Sequence, residues 1–327
     1  AEAGINHNGK INKAKKLIDA AANAGADYIK FQTYKVENLI LKSTPKTRYQ
    51  LKNTMSNTSQ YKMLKDLQIN YDDHHQLVSY AKKRKINFLS SAFDLESLDF
   101  LHTLNLDMIK IPSGEIDNIP YLEKVGRFNK NTILSTGMSN ISEIKNALKI
   151  LRKSGLSKKK ITILQCNSEY PSPIAHSNIK AMLGLKNFFS VNVGFSDHTI
   201  GFESSLAAVA LGATIIEKHL TLSKKDLGPD HASSCSPTEF KNLVNMIDRL
   251  NIALGSSKKQ VTKSELKNLK IIRKKIIASK DIKRGEKFSA NNLTTLRSLK
   301  GTEASKWYKY IGKKAKKPYK KYEYINE

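Results

Sequence analysis

The chain has 327 residues, 39% of them hydrophobic, enough for one large domain with a sizeable core plus a small one. No window approaches the roughly 18 consecutive apolar residues of a membrane-spanning helix, and the two cysteines, Cys166 and Cys235, form no CxxC. These facts argue against a membrane protein, a disulfide scaffold or a cysteine-rich zinc site, and for a reducing, cytoplasmic setting.

The formal charge of +27 arises from 56 Lys and Arg against 29 Asp and Glu. The lysines are spread along helix-like stretches, with denser clusters at 152–160, 271–275 and 312–323. No arginine-rich aromatic platform or helix-turn-helix signature accompanies them. The excess therefore reads as a solvated surface that steers anionic substrates, with no nucleic-acid or membrane partner.

The chain opens at Ala1 on a motif-like stretch and is expected to be truncated inside its first strand. Apolar runs then recur with a regular beat: 1–5, 27–33, 87–93, 108–115, 132–138, 161–170, 190–198 and 213–222. Each is short and rich in Ile, Val, Leu or Phe, as a strand buried on both faces requires. Helical patterns lie between them at 11–25, 71–85, 95–104, 141–155 and 202–212. Another follows at 236–255, with Ser236 as N-cap and Pro237 at the first helical position. Eight strands alternating with helices over 1–255 predict a (β/α)8 TIM barrel, an α/β fold. A doubly wound sheet is the alternative, but no GxGxxG follows the first strand.

Two segments stand apart. Residues 34–70 form an excursion far longer than an ordinary βα connection, expected to be a lid or binding loop. After a charged linker at 256–269, residues 270–327 read as a small β-rich domain with a turn at Lys283-Arg284-Gly285 and a helix-start signal at Ser289. So small a domain is marginal alone.

In a barrel, chemistry gathers at the C-terminal strand ends. Every predicted end carries polar residues: Glu2; Lys30 and Gln32; Ser90 and Ser91; Lys110, Ser113 and Glu115; Ser135 and Thr136. The series continues with Asn167, Ser168, Glu169 and Tyr170; Ser196, Asp197 and His198; Glu217 and His219. Lys30 and Lys110 lie inside apolar runs, where an ammonium needs a charge partner. Anion binding with serine hydroxyls ranks first for them, salt bridges to Glu115 and Glu217 second, and a Schiff base third. His198 and His219 are one βα unit apart and suit either a transition-metal site or a general base with its neighbour. His74 and His75 are expected on a solvated helix face, and Cys166 as a small buried hydrophobe.

The ordered stretches "AEAGINHNG", "AGADYIKFQTYK", "IKIPSGE", "STGM", "QCNSEYPSP", "GFSDHTIGF", "EKHLTL" and "GPDH" resemble the sialic acid synthase family, and "IIASKDIKRGEKFSANNLTTLR" resembles its C-terminal antifreeze-like (SAF) domain. The resemblance implies a transferase of sialic acid biosynthesis that condenses phosphoenolpyruvate with an open-chain N-acetylated amino sugar. N-acetylmannosamine is the expected substrate, as in an N-acetylneuraminate synthase, with legionaminate or pseudaminate synthesis from a diacetamido-trideoxyhexose as the alternative. It implies manganese, or else magnesium or cobalt, on His198 and His219. Lys30 and Lys110 would hold phosphoenolpyruvate, with Ser91, Ser113 and Ser196 at hydroxyl positions. Glu2, Gln32, Glu115, Tyr170 and Asp230 would orient sugar or water, with Ser168 as a further substrate contact; Glu2 or Glu115 would handle the attacking water. Arg297 would reach the sugar's acyl group in the partner subunit of a domain-swapped homodimer, although "LRSLKG" replaces the family's Arg-Pro-Gly there. A metal-dependent barrel aldolase or sugar isomerase, a Schiff-base aldolase and a polyanion-binding protein are the rival readings.

Overall fold

The computed structural model describes residues 1–326. Two compact units divide the chain, Ala1–Gly255 and residues 256–326.

In the first unit, β1 (Glu2–Gly4), β2 (Tyr28–Thr33), β3 (Asn87–Ala92) and β4 (Met108–Ile111) are followed by β5 (Asn131–Ser135), β6 (Ile161–Cys166), β7 (Asn192–Asp197) and β8 (Ile216–Lys218). They pair in parallel in that order, and a bridge from Glu2 to His219 closes the ring. The predicted TIM barrel is thus observed. Its outward residues Phe31, Ile111, Leu134, Ile163, Val193 and Phe195 pack under the helices. The inward residues alternate with these. Leu89, Ile133 and Leu164 fill the barrel floor, and two positions further along each strand stand Ser91, Ser135 and Cys166. The same period of two that packs the core therefore lines the C-terminal mouth with polar groups.

Gly194 shows how tightly the floor is filled. A Cβ there would lie 2.3 Å from the Ile215 carbonyl oxygen and 2.7 Å from Leu164 Cδ2. Gly194→Ala is expected to destabilise the barrel by about 3 kcal/mol through overpacking against backbone. Urea denaturation checks this, and an unchanged midpoint would refute it.

The helices are α1 (Ile11–Ala24), α2 (Val36–Leu39), α3 (Arg48–Thr54), α4 (Gln60–Leu67), α5 (Tyr71–Lys83), α6 (Leu95–Thr103) and α7 (Ile119–Phe128). They continue with α8 (Ile141–Lys153), α9 (Lys180–Phe189), α10 (Glu203–Ala210) and α11 (Pro237–Leu254). Ser236 caps α11 and closes a capping box with Glu239. The 34–70 excursion is organised by α2, α3 and α4.

Several expectations change. β4 stops at Ile111, because Pro112 cannot donate to the ladder, and residues 113–115 form a 3-10 turn. β8 is only three residues long. His74 is 0% exposed rather than solvated: its Nε2 bonds Thr33 Oγ1 at 2.8 Å and its Nδ1 meets the Asn70 carbonyl at 2.8 Å. His75 is exposed as expected.

The second unit begins with α12 (Lys263–Ile272), a helix covering part of the expected linker. β9 (Lys274–Ala278) and β10 (Leu293–Arg297) pair antiparallel, and a four-residue helix, α13 (Trp307–Tyr310), follows. Ile276, Ile282, Phe288, Leu293, Tyr319 and Ile325 supply most of its core. The turn at 283–285 forms, with Gly285 at φ 84°. Ser289 starts a single turn rather than a helix, its N–H donating to Asn292 Oδ1 at 2.8 Å.

Among the described residues no helix is long and apolar enough to cross a membrane.

Candidate active site

A cavity of about 410 Å³ opens at the C-terminal ends of the strands. All the expected site residues line it except Glu115 and Arg297. Glu115 sits in the turn after β4 with its carboxylate accepting from Asn118 Nδ2 at 2.6 Å. Arg297 is the exposed last residue of β10 in the second unit.

The charged centre is a four-membered cluster. Lys30 Nζ lies 2.5 Å from Glu2 Oε2 and 3.7 Å from Glu217 Oε2, and donates to Ser91 Oγ at 3.3 Å. Lys110 Nζ donates to both Glu217 oxygens at 2.9 Å, while Ser196 Oγ donates to Glu217 Oε1 at 2.9 Å. The salt bridge weighed for Glu217 therefore forms and the one to Glu115 does not. Glu217, expected only as a strand-end residue and salt-bridge partner, is the principal addition to the expected site residues. Burial opposes its charge, but Lys110 and Lys30 hold its carboxyl well below the usual range. Burial pushes Glu2 up against the pull of Lys30. For Lys110 burial outweighs Glu217, and its ammonium is held less firmly than usual. For Lys30 the two carboxylates outweigh burial, and its ammonium is reinforced.

Hydroxyls stand around this cluster. Ser113 Oγ accepts from the Gly137 N–H at 3.0 Å and lies 3.3 Å from Cys166 Sγ. Cys166 is buried, as expected, but also lines the cavity. Ser135 Oγ is buried with no partner, a donor free for an incoming acceptor. Gly137 makes room for the ring: a Cβ there would fall 2.2 Å from Ser168 Oγ.

The imidazoles stand beside this cluster, at the ends of β7 and β8. The rings of His198 and His219 are 5.3 Å apart, and Tyr170 packs on both, 4.2 Å from His198 and 5.4 Å from His219. His198 Nδ1 bonds the Asn167 carbonyl at 2.5 Å, which fixes the tautomer and turns Nε2 toward Ser196. His219 Nδ1 is buried without a hydrogen bond, 3.9 Å from Asp230 Oδ2. Burial lowers the pKa of both imidazoles, for His219 well below the ordinary value with His198 and Lys30 adding to the effect, so both are neutral. Burial, with Glu2 adding, pushes Asp230 up to about 7.

Two neutral imidazoles, one with an orphaned nitrogen, and an adjacent carboxylate fit a divalent transition metal better than magnesium, which prefers all-oxygen sites. Among the described residues no three His, Cys, Asp or Glu side chains are arranged to hold an ion. The imidazole pair would be the protein's own contribution to such a site.

The excursion closes one side. Tyr49 and Gln50 of α3 line the cavity, and the Tyr49 ring lies 5.2 Å from that of Tyr170. Asn53 Nδ2 donates to the Pro229 carbonyl at 2.6 Å, next to Asp230. Buried Lys46 ties the segment internally, donating to Thr54 Oγ1, the Ser56 carbonyl and Thr58 Oγ1 at 3.0–3.1 Å.

The NeuB family profile matches residues 17–259 and the SAF domain profile residues 273–325. The chain is 50% identical over its full length to the N,N'-diacetyllegionaminic acid synthase of Campylobacter jejuni, covering 98% of that protein. It is 39% identical to the Legionella pneumophila enzyme of the same name, over 95% of this chain and 88% of the other. Among solved structures, the N-acetylneuraminic acid synthetase of Leptospira borgpetersenii in complex with citrate superposes with a TM-score of 0.71 at 33% identity, covering 82% of this chain and 88% of that one.

Proposed function

We propose that this chain, which belongs to the NeuB family and carries a SAF domain, condenses phosphoenolpyruvate with an open-chain 2,4-diacetamido-2,4,6-trideoxyhexose to give N,N'-diacetyllegionaminate and phosphate. The observation that carries the condensation is the buried Lys30 and Lys110 pair in a hydroxyl-lined cavity that also holds two neutral imidazoles. For the sugar, relatives named for legionaminate at 50% and 39% identity outweigh the initial expectation of N-acetylmannosamine. The cavity supports the same choice. Tyr34, Leu39, Ile40, Leu64 and Phe93 give its excursion side an apolar surface, which suits a 6-methyl group and a second acetamido methyl. Free hydroxyls at those carbons would each need a polar partner.

Lys30 and Lys110 neutralise the phosphate and carboxylate of phosphoenolpyruvate, displacing Glu2 and Glu217 from the ammoniums, while Ser91, Ser113, Ser135 and Ser196 donate to its oxygens. Its C3 then faces the aldehyde carbon of the sugar. The C3–C bond forms with the enol electrons, the aldehyde oxygen takes a proton, and water adds to the cationic C2. The tetrahedral centre collapses to a ketone with release of phosphate. Glu2, whose pKa burial raises, lines the cavity, as Glu115 does not, and is assigned the attacking water. His198 and His219 would hold a divalent transition metal such as manganese, which when bound would supply Lewis-acid polarisation of the aldehyde oxygen. Tyr170 remains a protonated phenol, its pKa raised by burial and by Asp230, and with Gln32, Ser168 and Asp230 orients the sugar. Two chains would pair so that Arg297 of one serves the acyl group bound by the other.

The test is product identification. Protein, phosphoenolpyruvate and manganese are incubated with 2,4-diacetamido-2,4,6-trideoxymannose or with N-acetylmannosamine. The nonulosonate is identified by mass spectrometry and phosphate release is followed. The diacetamido sugar is expected to be preferred by about 100-fold in kcat/KM, since lost apolar contacts and stranded polar groups each cost about 1–3 kcal/mol. Preference for N-acetylmannosamine would reassign the sugar; no phosphate release with either would sink the reaction.

A further inference from the structure

The two strands that carry the imidazoles share a second contact on their outer face. β7 and β8 pair at three positions only, Phe195 with Ile216, Ser196 with Glu217 and Asp197 with Lys218. His198 and His219 each follow directly on the last pair. Because side chains alternate, Ser196 and Glu217 meet inside the cavity, while Asp197 and Lys218 meet behind it. The latter are 2.8 Å apart, with side chains 0% and 2% exposed. Asp197 Oδ1 accepts from Thr199 N and Oγ1 at 2.9 and 2.7 Å, and Oδ2 from Ser205 Oγ at 2.5 Å. Lys218 Nζ also donates to the Thr199 carbonyl at 2.8 Å. So deeply buried an ion pair contributes little net stability, because desolvating both charges cancels much of their attraction. What it does supply is a fixed spacing at the point where the strand ladder ends.

We propose that Asp197 and Lys218 are positioning residues that hold the His198 and His219 rings at their 5.3 Å separation and thereby set the affinity of the imidazole pair for a divalent transition metal. This rests on the metal reading of the two histidines. The link is mechanical: each partner of the ion pair is bonded through the backbone to one imidazole residue, and Thr199, on the far side of His198, is held by the same carboxylate and ammonium. Loosening the clamp frees both ends of the His198 segment, whereas Lys30 and Lys110 stand on other strands, β2 and β4.

The experiment compares the full chain with its Asp197→Asn/Lys218→Met double variant, which removes both charges at similar volume and so avoids stranding one of them. Free manganese is measured by electron paramagnetic resonance during titration without substrates, the KM for phosphoenolpyruvate is determined, and the double variant is crystallised. The expected result is a loss of about 10-fold or more in manganese affinity, in the range seen for residues behind metal ligands, with the KM for phosphoenolpyruvate unchanged. Equal manganese affinity in the two proteins would overturn the proposal. If the unmodified chain binds no manganese, the metal reading has failed by itself and the crystal structure decides: rings still 5.3 Å apart overturn the clamp, rings displaced uphold it. Should the double variant not fold, Ser205→Ala removes one anchor of Asp197 and is judged by the same measurements.

Discussion

Glu217→Gln is expected to lower the stability of the ligand-free protein by about 3–5 kcal/mol, the usual cost of leaving a buried charge without its partner, and phosphoenolpyruvate is expected to restore much of the loss. Glu217 is the only carboxylate within salt-bridge reach of Lys110, and the second within reach of Lys30, among the described residues. Glutamine keeps the shape and one acceptor oxygen but not the charge. Lys110, whose ammonium burial already disfavours, is then left with no anion beside it. A bound phosphate or carboxylate replaces the missing charge, so the ligand-induced rise in melting temperature should be larger in the variant than in the parent. For a unit of this size 1 kcal/mol moves the transition by about 2–4 °C, so a ligand-free drop on the order of 10 °C is readily seen by calorimetry. An unchanged melting temperature, or equal ligand-induced shifts in both proteins, would show that Glu217 does not act as a stand-in for the substrate anion.

The legibility of this fold follows from where its signals are local. The eight strands were readable because each is a continuous apolar run flanked by polar helix starts. α7 and α9 were not, because each carries an interior glycine, Gly126 or Gly184, that weakens the helical pattern. At Gly126 the cause is close packing, since a Cβ would meet Ser154 Cβ at 2.5 Å. The site shows the same division. Lysines inside apolar runs and histidines one unit apart announce themselves. Glu217 does not, because its role depends on register: it faces Ser196 across β7 and β8, and one residue away the same carboxylate would point to the helices. Glu115 is the converse. It lies two residues beyond Ser113, yet Pro112 ends the strand and the 3-10 turn carries the carboxylate off the cavity wall. His74 reads as part of a polar helix face, whereas its burial is decided by the side of the helix turned to Thr33.

His198→Ala and His219→Ala are each expected to reduce turnover by about 1,000-fold or more. Lewis-acid polarisation is worth several kcal/mol and each 1.36 kcal/mol is a factor of ten. Comparing the two variants separates this from the rival role of a general base. Neutral imidazoles with lowered pKa values could serve either purpose, but a base would be a single residue, and loss of its neighbour would be tolerated. Here the two rings lie side by side, each directly after the last β7–β8 register pair and each packed against Tyr170. The two alanine variants should therefore fail alike, both in turnover and in manganese binding followed by paramagnetic resonance. The fold should survive, since Tyr170 and the Asp197–Lys218 pair remain on either side of the cavity wall. Loss of turnover with manganese affinity intact would assign the histidines to proton transfer, and full turnover in either variant would remove that histidine from the chemistry altogether.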